Sequence, residues 1–237
     1  MNNINECIVW GGGPSIGEGI SLGLKEQLKN KFVLGCNFSF HHFEPTAIVF
    51  KDKKVWTGQL LGYNNPYVNK SHKNLIQKFP LCITTESAGI KPKPNNLISI
   101  PKTQLYAGHL TGEFALALAS YLLNENGNLF ILGYDWTQKT KPEEIPITHY
   151  YPDTEIVHKG QHLTQHYDSH NAGKIFRRFL NLNNTLKIYN VSPNSNIPTF
   201  KKITYSEMFS LLNKETYNQD ELRQSIKEKL NALSNNI

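Results

Sequence analysis

Short runs of apolar, β-branched residues alternate along this chain with longer stretches of helical period, and few folds other than α/β layers accommodate that alternation. Cys7-Ile8-Val9-Trp10 reads as a first buried strand. Ile16 to Leu28 reads as a helix, with Ile20, Leu24 and Leu28 on one face. Further strands are expected at Phe32-Val33-Leu34, Ala47 to Phe50, Leu81 to Thr84, Leu97 to Ile100, Asn128 to Leu132 and Leu186 to Tyr189, with a strong helix over Thr111 to Leu123. The fold class that follows is α/β layering.

Length sets the number of domains. The 237 residues fit one α/β domain, or a domain plus a C-terminal appendage. Residues 1–205 are expected to form the nucleotide-binding domain and 206–237 an amphipathic helical tail. Leu211, Leu222, Ile226, Leu230 and Leu233 of that tail sit among mixed charges, the pattern of a packing or homo-oligomer element. Residues 136–169 are long, polar and rich in Pro, Thr, His and Tyr without a period, which reads as a lid. No apolar run approaches the roughly 18 residues of a membrane span. The N-terminal residues lack the pattern of a secretory signal. The three cysteines, Cys7, Cys36 and Cys82, are scattered and read as reduced core thiols, so a soluble cytoplasmic protein is expected. The net charge of +6 favours phosphate-bearing partners and permits nucleic acid, but the lysines are spread and do not form a patch.

The chemistry concentrates at Gly11-Gly12-Gly13-Pro14-Ser15, between the first strand and first helix. Glycines let backbone approach an anion, and a helix start offers free N–H groups and a partial positive charge. Pro14 and Ser15 suit the first positions of that helix. The loop departs from the dinucleotide fingerprint, because Ile16 stands where a third Gly or Ala is needed. Asn37 stands where an acidic ribose ligand would be. The lack of Gly-Lys-Ser or Gly-Lys-Thr argues against a P-loop. Asp135, at the end of a core strand, is a candidate for a ribose, an acceptor or a neighbouring loop. No Asp-x-Asp is present, and Asp52 is a lone carboxylate between lysines and an acceptor candidate. Five histidines, His149, His158, His162, His166 and His170, fall within 22 residues, the last four spaced by four. That spacing suits either a solvated lid face or a zinc site on one helix.

Five motifs in order resemble bacterial sialyltransferases that use CMP-sialic acid. They are Gly11 to Ser15; Cys36-Asn37-Phe38-Ser39-Phe40 with Ala47 to Lys51; Leu110-Thr111-Gly112-Glu113-Phe114; Leu129 to Trp136; and His166-Tyr167-Asp168-Ser169-His170 with Tyr189 to Phe200, which holds Ser192-Pro193-Asn194-Ser195. The match runs from Ile8 to Phe200. The same outline is shared by 6-hydroxymethylpterin pyrophosphokinases and phage-encoded relatives. The resemblance implies a Rossmann-like fold, a mostly parallel open sheet with helices on both faces, and a nucleotide held by Gly12, Gly13, Ser15, Asn37, Thr111 and Gly112; Pro14, Asp135 and Ser195 are further nucleotide-binding candidates beside them. It implies His170 as general base, with Tyr150, Tyr151 and Tyr167 as candidates for holding the leaving phosphate; His166 reads as structural or as an acceptor candidate. Where the family has Arg and Tyr, this chain has Gly108-His109 and Thr137.

The expected activity is inverting transfer of a sugar from a nucleotide-sugar donor, CMP- or otherwise linked, to a hydroxyl of a glycan or a modified DNA base. The donor is a substrate, and neither cofactor nor metal is called for. An ATP- and Mg²⁺-dependent pyrophosphokinase acting on a pterin-like alcohol, and a non-catalytic nucleotide-binding module, are the alternatives.

Overall fold

A computed structural model describes residues 4–59, 70–91, 93–101, 105, 110–135, 179 and 185–235. In chain order the elements are β1 (Glu6–Trp10), α1 (Ile16–Ser21), α2 (Leu24–Gln27), β2 (Val33–Cys36), β3 (Ala47–Val49), α3 (Lys53–Thr57), α4 (Lys70–Lys78), β4 (Cys82–Thr85) and β5 (Leu97–Ile100). They continue with α5 (Thr111–Leu122), β6 (Asn126–Leu132), β7 (Thr185–Asn190), β8 (Lys201–Lys202), α6 (Tyr205–Leu211) and α7 (Gln219–Asn235). The strands form one sheet in the order β5-β4-β3-β2-β1-β6-β7-β8. Every pairing is parallel. The chain steps outward from β1 to β5, returns through α5, and restarts at β6 on the other side of β1. The α/β class expected from the alternating pattern is the one observed.

A parallel sheet is covered on both faces, so its strands carry apolar residues at both parities. In β1, Cys7 and Val9 point into the cluster that holds Phe114 and Leu118 of α5 and Leu222, Ile226 and Leu230 of α7. Ile8 and Trp10 point the other way, into a cluster with Ile16 of α1, Leu24 of α2, and Tyr205 and Met208 of α6. Farther along that second face, Ile48 and Cys82 meet Val55 and Trp56 of α3 and Ile76 of α4. Nine of the twelve residues of α5 are buried, which makes it a core helix and not an amphipathic surface one.

One expectation is corrected. The first helix does not run from Ile16 to Leu28. It breaks at Gly23, whose φ of 87° lies in the left-handed region, and resumes as α2. The C-terminal segment is helical, as expected, and it packs against the rest of the chain. Leu222, Ile226 and Leu230, at i, i+4 and i+8, lie in the main core, and Met208 lies beneath α1. Polar contacts fix the same segment: Arg223 Nε donates to Thr46 O (3.0 Å) and Tyr217 N to Asn30 O (2.8 Å). Leu222, Ile226 and Leu230 of the apolar stripe thus pack within their own chain, while Leu211 is exposed.

Among the described residues, no helix is long and apolar enough to cross a membrane. Cys7, Cys36 and Cys82 are buried free thiols.

Candidate functional site

Open parallel sheets bind ligands beyond the carboxyl ends of their strands, where the strand order reverses. Here that point lies between β1 and β6. The glycine loop leaves β1 at this point, but its amides face inward. Gly11 N donates to Leu132 O (2.8 Å) and Gly13 N to Gly133 O (2.9 Å). Ser15 N donates to Asp135 Oδ2 (2.8 Å). Ile16 N and Gly17 N bond Gly13 O and Pro14 O within the turn (3.2 and 3.1 Å). Pro14 has no N–H, so Gly12 alone keeps an amide without a partner among the described residues. The expected cradle of free amides is thus replaced by a loop laced to the one after β6.

The glycines serve that lacing. A Cβ on Gly13 would lie 2.5 Å from Gly133 O and closer still to Asp135 Oδ2. A Cβ on Gly11 would lie 2.7 Å from Leu132 O. Close approach is required, as the sequence indicates, but the approaching group is the chain's own backbone.

Asp135 is the centre of this arrangement and is 4% exposed. Its second carboxylate oxygen accepts from Ser192 Oγ, in the loop after β7. Asn196 N donates to its carbonyl (2.9 Å). Ser195, also buried, donates to Tyr134 O (2.6 Å) and accepts from Asn190 Nδ2 (2.9 Å) and Ile197 N (3.1 Å). Asp135 and Ser195 therefore join the loops after β1, β6 and β7, the neighbouring-loop role that the sequence left open for Asp135. Asp135→Ala removes the acceptor of two donors, Ser15 N and Ser192 Oγ, and each donor left buried without a partner costs about 1–3 kcal/mol. We expect a loss of about 3 kcal/mol in urea unfolding, and a smaller loss for Asp135→Asn, whose amide oxygen can still accept from Ser15 N. Equal midpoints for parent and Asp135→Ala would contradict the role.

The groups that face outward come from β1, β2 and α5. Register pairs Trp10 with Gly35, so Gly12 and Asn37 leave adjacent strands side by side. Asn37 has φ of 50°, a conformation Asn tolerates better than most residues, and its N–H donates to Val49 O (2.9 Å). Thr111 Oγ1 donates to Asn37 Oδ1 (3.2 Å), which leaves the Asn37 amide NH₂ for a ligand. Leu110, the residue before α5, has no side-chain acceptor, so the helix start is capped only by Glu113 reaching back to Leu110 N (3.0 Å). The amides of Thr111 and Gly112 have no partner among the described residues. Gly12, Asn37, Thr111 and Gly112 thus present donors at the start of a twelve-residue helix, a setting that favours an anion.

Tyr134 supports this edge from below. Its hydroxyl donates to Gly112 O (2.8 Å), and burial pushes the phenol well up, so it stays protonated. Burial also pushes the Cys36 thiol up to about 12, which makes it a poor nucleophile although it adjoins Asn37. Asp52 is exposed, and its carboxylate caps α3 by accepting from Lys54 N (2.9 Å). His166, His170, Tyr150, Tyr151, Tyr167 and the lid at 136–169 lie outside the described residues. Among the described residues, no three metal-ligating side chains are grouped to hold an ion.

No family model, curated protein or solved structure matches the chain.

Proposed function

We propose that this chain is a glycosyltransferase that transfers a sugar from a nucleotide-linked donor to a hydroxyl acceptor with inversion, seating the nucleotide at Gly12, Asn37, Thr111 and Gly112. The observation that carries the reading is the Asn37–Thr111 hydrogen bond, which joins two residues that the sialyltransferase resemblance assigns to one nucleotide. In this reaction His170 takes the acceptor's proton, Tyr150, Tyr151 or Tyr167 stabilises the departing phosphate, and the lid excludes water. The phosphate is held by hydrogen bonds and needs no metal. The acceptor is a glycan or a modified DNA base. The pyrophosphokinase reading is less well supported, because Asp52 and Asp135, the carboxylates it assigns to Mg²⁺, cap α3 and join three loops.

A thermal-shift panel of CMP-, UDP-, GDP- and ADP-linked ligands tests the proposal. A ligand at 100 times its dissociation constant stabilises by about 2.7 kcal/mol. We expect a cytidine-linked ligand to raise the midpoint most. A shift confined to adenine nucleotides with Mg²⁺ would favour the pyrophosphokinase, and no shift with any of them would remove the nucleotide reading.

A further inference from the structure

Beneath the glycine loop lie two buried hydroxyls, of Ser15 and Tyr205. Tyr205, the first residue of α6, is fully buried, and its Oη has no hydrogen-bond partner among the described residues. Ser15 Oγ is likewise buried without one. The Tyr205 ring lies against α1, where a Cβ on Gly19 would fall 2.5 Å from Cζ. Gly19 stands one turn after Ser15, to whose carbonyl its N–H donates (3.3 Å), so the phenol and the Ser15 hydroxyl share one face of the helix. The two groups are close enough to interact: burial raises the Tyr205 phenol, and the Ser15 hydroxyl pulls it the other way. The approach of Tyr205 is fixed by a capping box, in which Thr204 Oγ1 accepts from Glu207 N (3.1 Å) and Glu207 accepts from Thr204 N (2.7 Å).

An unmade hydrogen bond at a buried hydroxyl is costly, so two such groups in proximity close on each other directly or through one water. We propose that Tyr205 is a positioning residue, whose hydroxyl acts through Ser15 Oγ to set the glycine loop for its ligand. This gives the C-terminal segment a role in the site, and it rests on the nucleotide reading above.

Tyr205→Phe and Ser15→Ala each remove one hydroxyl. In the unliganded protein, amide exchange at Gly13 and Ser15 is measured against Leu34 in the sheet, which separates loop loosening from lost global stability. We expect either variant to speed the loop amides roughly five-fold relative to Leu34, the worth of about one net hydrogen bond, and to weaken CMP binding by a similar factor. The double variant should do no more than either single one. Unchanged relative exchange in Tyr205→Phe, or additive effects in the double variant, would overturn the proposal. A parent protein that does not bind CMP defeats the nucleotide reading instead, and the exchange measurement still decides the positioning role.

Discussion

A chain lacking residues 206–237 is expected not to fold. The deletion removes Met208 from the cluster beneath α1 and Leu222, Ile226 and Leu230 from the main core. Each large buried apolar side chain is worth about 1.5–3 kcal/mol. Four of them approach the roughly 5–15 kcal/mol that holds a whole domain together. The deletion also uncovers part of the sheet face shared with α5. Circular dichroism and urea unfolding should show no cooperative transition. A truncated protein that unfolds cooperatively near the parent's midpoint would show that the tail is a separate unit.

Gly13→Val should destabilise the protein by more than about 4 kcal/mol, among the largest effects of a single substitution. The new Cβ would overlap Gly133 O and Asp135 Oδ2, and neither can withdraw easily. Gly133 O accepts from Gly13 N, and Asp135 is held by Ser15 and Ser192. The substitution therefore damages the joint between the β1 and β6 loops and does not simply block a ligand. Urea midpoints measure the cost. A Gly13→Val protein as stable as the parent would mean that the loop yields freely.

The sheet is legible in the sequence because a strand buried on both faces is a continuous apolar run, as Cys7 to Trp10 and Ala47 to Phe50 are. The break in the first helix is hidden because Ile20, Leu24 and Leu28 keep an i, i+4 spacing across Gly23, where the backbone turns. Helix α4 gives little signal, since only His72 and Ile76 of its nine residues are buried. The tail's apolar stripe is visible, but a stripe does not say what covers it. The glycine loop shows the same gap at the site: glycine signals close approach without saying whether a ligand or the chain itself approaches. Asp135 and Ser195 are polar residues at strand ends, and only their burial and partners reveal a supporting role.

Calorimetric titration of CMP into the parent and into Asn37→Gly tests the placement of the nucleotide most directly. Glycine accepts the φ of 50° at this position, so the substitution removes the side chain while leaving the backbone unstrained. The account predicts that the parent binds CMP and that Asn37→Gly binds about 10-fold more weakly, the worth of one or two hydrogen bonds, with its urea midpoint little changed. Equal affinity in the two proteins, or no binding of CMP by the parent, would contradict it.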